Sequence, residues 1–162
     1  MSTIAEMKQR YDQMKAELKS EGQRLLHKNF SEFLRKYPEV ECIKWAQYTP
    51  YFNDGEACVF RRHDFLASLT DSDNKDNYEC DISVLAQSDI QDPSNVEKAK
   101  RWDFWPSLRE LTSRERQLIE DYRALKTEVG CLPDEVYLDI FGDHVQVTAT
   151  STGFTVEEYE HD

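Results

Sequence analysis

The chain has 162 residues, enough for one domain with its own hydrophobic core. It carries 20 Lys and Arg against 32 Asp and Glu, a formal charge of −12, and its 12% of aromatic residues argues against a disordered chain. Such an acidic surface disfavours direct nucleic-acid binding, and no apolar run approaches the roughly 20 residues of a membrane-spanning helix. Because its first residues contain no apolar signal segment, we expect a cytoplasmic protein. Because of its charge and hydropathy, we expect neither nucleic-acid nor membrane partners.

Residues 1–36 are predicted to form a long N-terminal helix that ends before Pro38. Five apolar residues are spaced 3, 4, 3 and 4 apart, as in a coiled coil: Ile4, Met7, Tyr11, Met14 and Leu18. This heptad seam is interrupted at Glu21 and Gly22, where we expect a bend or a change of packing partner. A long amphipathic helix is not stable alone. We therefore expect the seam to be buried by the second long helix of the chain or by the first helix of a second copy, in a homo-oligomer.

Residues 39–66 are predicted to form a β-hairpin. Strand-forming residues dominate 40–49 and 57–63, and Asn53-Asp54-Gly55 supplies the residue types that tolerate positive φ in a hairpin turn. The acidic stretch 70–81 lacks the glycine and the terminal glutamate of a calcium-binding loop, so we expect a solvated loop there.

Heptad spacing returns over residues 107–129, which are predicted to form the second long helix. Ser107 and Thr112 each begin a capping box, so its start is open by about one turn. Alternation of apolar and polar residues over 144–159 predicts a second hairpin, with its turn at 151–153. The residues expected to face a shared core are Val145, Val147, Phe154 and Val156 from this hairpin and Ile43 and Phe60 from the first.

Together these elements predict an α+β fold: a small antiparallel sheet from two β-hairpins, packed with long heptad-patterned helices in a single domain, 1–162. The four cysteines and four histidines show no zinc-site spacing, and reduced cysteines are expected. The sequence also contains no glycine-rich phosphate loop, GxSxG or HExxH motif. We therefore predict no catalytic residues, no metal site and no cofactor, which argues against an enzyme.

Charge is distributed unevenly along the chain. Residues 1–36 carry a net +3, whereas residues 131–162 contain eight Asp and Glu and neither Lys nor Arg. One interpretation is a solvated surface, packed near the basic first helix. The other is a docking face for a protein partner with a basic surface, with Glu157, Glu158 and Glu160 as its candidate binding residues.

The segment WAQYTPYFNDGEACVF, residues 45–60, concentrates aromatic side chains around a hairpin turn. Rings in a loop either fold back onto the core or form a surface patch. The candidate binding residues of this hairpin are Trp45, Gln47, Tyr48, Tyr51, Asn53 and Asp54. Structural roles are the alternative: Trp45 as a core residue with its indole N–H satisfied, and Asn53 and Asp54 closing the turn.

The same segment resembles the motif W-x-Q-Y-T-P-Y-F-N-D-G-[DE]-x-C-x-F of a family of small proteins from tailed bacteriophages and some bacteria. FGDHVQVT at 141–148 and VEEYEHD at 156–162 resemble the C-terminal end of that family. The resemblance extends to roughly the whole order of elements and implies a phage or bacterial origin and the cytosol of a bacterial host. It implies no mechanism.

Two functions fit these features. The first is a non-enzymatic acidic accessory protein of phage type that binds a host or phage protein, for host takeover or anti-defence. The alternative is a small-molecule or nucleotide-binding protein that uses the aromatic first hairpin, where Arg61-Arg62-His63 adjoins the rings.

Overall fold

Five helices and a five-stranded antiparallel sheet form the parts of the chain that this computed structural model describes, residues 3–52, 55–70, 80–102 and 107–161. The helices are α1 (Ile4–Lys36), α2 (Asp81–Gln87), α3 (Pro93–Arg101), α4 (Ser113–Gly130) and α5 (Asp134–Phe141). The strands are β1 (Val40–Tyr48), β2 (Arg61–Arg62), β3 (Leu66–Leu69), β4 (Val145–Thr150) and β5 (Gly153–Glu158). The predicted α+β class is confirmed. Within the described ranges, no helix has the length and apolarity needed to cross a bilayer.

Both predicted hairpins belong to one sheet, in the order β2-β1-β4-β5, with β3 also paired to β1. Strand β1 pairs with β4 in the register Trp45 opposite Val147, and β4 pairs with β5 in the register Val147 opposite Val156. The returning strand of the first hairpin is shorter than predicted, since of residues 57–63 only Arg61 and Arg62 form a strand paired with β1, and β3 pairs with β1 further along the chain. Between β2 and β3 the chain leaves the ladder, and Phe65 is buried in the core.

The core lies between one face of the sheet and the helices. Trp45 is at its centre: its ring stacks on Phe30 at 5.4 Å between centroids and meets Phe65, Phe141 and Phe154 edge-on. Ile43 and Val147 are fully buried, and Val145 and Phe154 pack against the core, as predicted.

The prediction that Val156 and Phe60 belong to the core was wrong, although Val156 lies on the same face of the sheet as its partner Val147. Val156 is 46% exposed, because β5 is the edge strand and is exposed from its third residue onward. Phe60 is partly exposed and lies in the irregular segment before β2, outside the core cluster.

Helix α4 starts at the second of the two predicted capping boxes. The Thr112 hydroxyl accepts the Glu115 N–H at 3.1 Å, and the Glu115 carboxylate accepts the Thr112 N–H at 2.8 Å. Its heptad residues Leu118, Tyr122, Leu125 and Val129 are buried. Helix α3, for which the sequence analysis made no prediction, begins after Asp92, whose carboxylate caps it by accepting the Ser94 N–H at 2.8 Å.

Helix α1 has two distinct halves. From Gly22 onward it packs on the core through Leu26, Phe30 and Phe33. Gly22 allows α5 to approach closely, since a Cβ there would lie 3.1 Å from Val136 Cγ1. The predicted change of packing partner therefore occurs at this residue.

The N-terminal half of α1 leaves its heptad seam uncovered. The exposed fractions are 84% for Ile4, 64% for Met7, 63% for Tyr11, 56% for Met14 and 61% for Leu18. The prediction that the second long helix buries this seam was wrong, because α4 lies alongside the other end of α1, where Lys36 contacts Asp121 at 2.6 Å.

Candidate functional site

Two of the candidate hairpin residues lie inside the protein. Trp45 is 1% exposed and Gln47 is 0% exposed. The Trp45 indole N–H donates to the Gln47 side-chain oxygen at 3.1 Å, and the Gln47 amide donates to the carbonyls of Tyr137 at 3.1 Å and Gly142 at 2.6 Å. This network ties β1 to the end of α5. Because both side chains are enclosed, neither can contact a partner at the surface, and their interpretation as binding residues is corrected to a structural role.

Tyr48 and Tyr51 instead belong to a surface group of six rings, which we call the ring cluster. It lies where the end of β1 meets the start of β4 and the residues after β5. Its members are Tyr48, Tyr51, His63, His144, Tyr159 and His161. Asn53 and Asp54, the other two hairpin candidates, lie outside the described residues.

The rings of the cluster are stacked. The Tyr48 ring lies 3.7 Å from His161 and 4.4 Å from His63, between centroids. The Tyr51 ring lies 4.6 Å from His161 and 4.8 Å from His144, with interplanar angles of 12° and 9°. Both tyrosines of the first hairpin therefore stack on the same C-terminal imidazole, and the stack joins the first hairpin to the tail of the chain.

The two C-terminal histidines form a flat pair within this stack. His144 Nδ1 and His161 Nε2 are 3.1 Å apart and the ring planes differ by 6°, which is the geometry of a hydrogen bond between the two rings. One ring must donate and the other accept, so one of the two facing nitrogens carries a proton and the other does not. Burial lowers the pKa of His63 below its usual value, assisted by His161, Arg61 and Arg62.

Asp143 fixes the backbone beneath the rings. Its carboxylate accepts the N–H groups of Thr49 and His144, both at 2.8 Å, and the Thr49 hydroxyl at 2.7 Å. Burial alone would raise the pKa of Asp143, but these hydrogen bonds outweigh it and hold that pKa below its usual value. His144 itself has φ of 53°, in the left-handed region that few non-glycine residues adopt. The Asp143 carboxylate thus fixes the turn into β4, since it binds both Thr49 after β1 and His144 before β4.

The outer part of the cluster is open to solvent. Tyr51 is 68% exposed although it stacks on two imidazoles, and the neighbouring Phe52 is 79% exposed. A flat ring of this kind can pack against an apolar side chain, a cation or a planar heterocycle.

The three candidate glutamates lie near these rings along the chain, on edge strand β5 and just after it. Glu157 pairs with Gln146 and lies on the same face of the sheet as Tyr48, whereas Glu158 pairs with Val145 and lies on the face that the helices cover. Glu160 follows Tyr159 after the strand ends. All three are exposed, and none forms an ion pair with a residue that the structure describes.

Two other carboxylates of the C-terminal region are paired. Asp139 lies 3.4 Å from the Lys15 ammonium, and Asp134 lies 4.0 Å from Arg62 Nε. The pair with Lys15 links the acidic C-terminal region to the basic first helix. Among the described residues, the carboxylates of this region without an ion pair are the exposed Glu135, Glu157, Glu158 and Glu160.

Sequence reasoning did not include the three histidines among the candidate residues. His63, His144 and His161 are far apart in the chain, and the sheet register brings them together: Tyr159 N–H donates to the His144 carbonyl at 2.8 Å, one residue beyond the paired ends of β4 and β5. Continuing the alternation of the predicted second hairpin by one pair would have placed Tyr159 opposite His144. Across the described ranges, no three His, Cys, Asp or Glu side chains are grouped so that they could hold a metal ion.

No family model, no curated protein and no solved structure matches the chain. The ring cluster and the three glutamates beside it, Glu157, Glu158 and Glu160, are the candidate functional site.

Proposed function

We propose that the chain is a non-enzymatic acidic accessory protein of phage type that binds a host or phage protein with a basic surface, for host takeover or anti-defence. The observation that most supports this proposal is an exposed, stacked tyrosine, Tyr51, on a ring cluster whose C-terminal segment also carries three glutamates without an ion pair among the described residues.

The glutamates account for approach to the partner. Carboxylates without a partner in their own chain keep their full field toward solvent. At physiological ionic strength that field extends about 8 Å, and it raises the rate of encounter with a basic surface. The rest of the chain is also acidic, since the formal charge is −12 overall. A basic partner is therefore attracted from most directions and most strongly at this edge of the sheet.

Tyr51 accounts for retention of the partner. Binding energy at interfaces is concentrated in a few desolvated side chains, among which tyrosine is enriched. Tyr51 is already held against His144 and His161, so its burial costs less side-chain entropy than burial of a free ring. Its exposed fraction of 68% leaves most of its surface available for a partner.

The first experiment is capture of proteins from lysates of phage-infected and uninfected bacteria on the immobilised chain, followed by mass spectrometry. Two variants of equal net charge are compared with the natural chain. The test variant replaces Glu157, Glu158 and Glu160 with Gln. The control replaces Glu32, Glu41 and Glu120, which are exposed and unpaired among the described residues, with Gln.

We expect a protein with a basic surface to be retained by the natural chain and by the control and to be lost from the test variant. With that protein purified, the test variant should slow association, and Tyr51→Ala should mainly speed dissociation. Equal retention by the test variant and the control, or binding that is unchanged between low and high salt, would refute the proposed docking face.

The exposed ring also supports the alternative of a nucleotide or small-molecule ligand. Arg61, which is exposed, lies opposite Tyr48 in the β1–β2 register and could face a phosphate. Thermal unfolding with a panel of nucleotides tests this, because a ligand that binds only the folded state raises the midpoint. A rise that disappears in Tyr51→Ala would favour the alternative over the protein partner.

A further inference from the structure

The N-terminal half of α1 extends from the rest of the molecule as an uncovered amphipathic helix. A capping box begins this helix: the Thr3 hydroxyl accepts the Glu6 N–H at 3.1 Å, and the Glu6 carboxylate accepts the Thr3 N–H at 2.8 Å. Residues 4–21 span about 27 Å at 1.5 Å per residue. All five seam residues, Ile4 to Leu18, are more than half exposed.

The spacing of these residues suits a second copy of the same helix. Steps of 3, 4, 3 and 4 place the five side chains at consecutive a and d positions, the positions that interlock between two helices of a coiled coil. The α1 helix of a second copy carries the same apolar residues at the same spacing, so the two seams are complementary. We propose that two copies of this chain form a homodimer in which the N-terminal halves of their α1 helices pair as an antiparallel coiled coil.

Net charge favours the antiparallel arrangement. Residues 1–21 contain four Lys and Arg and four Asp and Glu, so the body of each chain, from Gly22 onward, carries the whole charge of −12. A parallel pair would place both acidic bodies at the same end of the coiled coil. An antiparallel pair places them at opposite ends of the helix pair, about 27 Å apart, which exceeds the Debye length of about 8 Å at physiological salt.

The residues that flank the seam favour the same orientation. With Ile4 at position a, Arg10 and Glu17 occupy g positions, and Lys8 and Lys15 occupy e positions. A parallel pair would bring Arg10 against Lys15 of the second copy, whereas an antiparallel pair centred on Tyr11 and Met14 brings Arg10 near Glu17 of the second copy.

This antiparallel register also brings Lys8 near Lys15 of the second copy. Each lysine already has a carboxylate in its own chain, Asp12 at 2.7 Å from Lys8 and Asp139 at 3.4 Å from Lys15, which reduces the repulsion.

The register also uses the apolar surface at the base of the helix. Met7 falls opposite Leu18 of the second copy, and Ile4 falls opposite Glu21, beside Leu25. Leu25 is 41% exposed and lines an apolar groove with Gly22 and Leu132. The end of each helix therefore reaches apolar surface on the body of the other copy.

The molecular mass in solution tests the dimer. Light scattering after size exclusion should give about twice 19.1 kDa, falling toward a single chain on dilution. The pair Met14→Asp and Leu18→Asp should give a monomer whose near-ultraviolet circular dichroism keeps the native signal of the body. The control pair Gln9→Asp and Ala16→Asp, at exposed positions off the seam, should remain dimeric. A natural chain that is monomeric at 1 mM, or a seam variant that stays dimeric, would overturn the proposal.

The direction of pairing has its own test, because one substitution has opposite effects in the two arrangements. Arg10→Glu faces Glu17 in the antiparallel pair and should raise the dimer dissociation constant about 10-fold, while the double exchange Arg10→Glu and Glu17→Arg should restore it. In a parallel pair Arg10→Glu would face Lys15 and tighten the dimer, which would overturn the antiparallel arrangement. Neither outcome depends on the docking face proposed above.

Discussion

The buried amide of Gln47 is the most informative residue to change, because the candidate site and the core make different predictions for it. Methionine has nearly the same volume but cannot form the hydrogen bonds of the amide. In Gln47→Met the Trp45 indole N–H and the carbonyls of Tyr137 and Gly142 lose their hydrogen bonds with the amide. The position is 0% exposed, so water cannot replace that partner without rearrangement.

The size of the effect is set mainly by the Trp45 N–H and the Gly142 carbonyl, because the Tyr137 carbonyl lies within α5 and also accepts a helical hydrogen bond. A buried polar group left without a hydrogen bond costs about 1–3 kcal/mol. Gly142 is only partly buried, so we expect the free energy of unfolding to fall by about 2–4 kcal/mol. Urea unfolding followed by tryptophan fluorescence and far-ultraviolet circular dichroism measures this loss as a lower midpoint with an unchanged slope.

Gln146→Met is the matched control. Gln146 lies on the opposite face of the sheet, where it pairs with Ala46, and it is partly exposed. Its substitution should change the free energy of unfolding by no more than about 0.5 kcal/mol. If Gln47→Met also stays within that limit, the network is not a stabilising one. If the folded Gln47→Met variant binds its partner more weakly than the natural chain, Gln47 is a contact residue and its structural assignment is wrong.

Three further changes test the packing and the electrostatics. Gly22→Leu should lower the free energy of unfolding by about 1–3 kcal/mol, because the leucine side chain would overlap Val136 of α5. An unchanged urea midpoint would contradict this and would show that α5 can move away from α1 without loss of stability. Gly130→Ala should raise the stability by about 0.5–1 kcal/mol, because Gly130 ends α4 with open space around it; a lower midpoint would contradict this. Hydrogen bonds, chiefly from Lys36, lower the pKa of Asp121 to about 2. The ionised carboxylate therefore stabilises the folded state fully above about pH 4, and this stabilisation is lost as the pH falls toward 2. Asp121→Asn should therefore flatten the acid limb of a plot of stability against pH, and an identical acid limb would exclude this role.

The candidate site illustrates what local pattern can and cannot resolve. Alternation along β1 places Trp45 and Gln47 on one face and Tyr48 on the other, which sequence alone predicts. Which face is buried depends on the side of the sheet that the helices cover, and this is decided by contacts with Phe30 and Phe141 from distant segments. The aromatic motif therefore contains both core residues such as Trp45 and surface residues such as Tyr51, although both are aromatic.

The helical predictions show the same division. The seam residues of α4 and those of the N-terminal half of α1 have the same 3-4 spacing, yet the first are buried and the second are exposed. Spacing reports that a helix has an apolar face and carries no information about the surface that covers it. The local sign of the difference was Gly22, where the seam is interrupted and where α1 packs closely against Val136 of α5.

Sequence alone determined the elements whose signals are contained within a few residues: the long helices, the two candidate capping boxes before α4 and the alternation of the second hairpin. These depend on backbone geometry and on hydrogen bonds between near neighbours, which the order of residues specifies directly. Tertiary structure decided the burial of Gln47, the exposure of the α1 seam and the meeting of His63, His144 and His161 with Tyr48 and Tyr51. Each of these depends on which distant segments pack together, because burial and ring stacking are properties of the folded chain and not of a single segment.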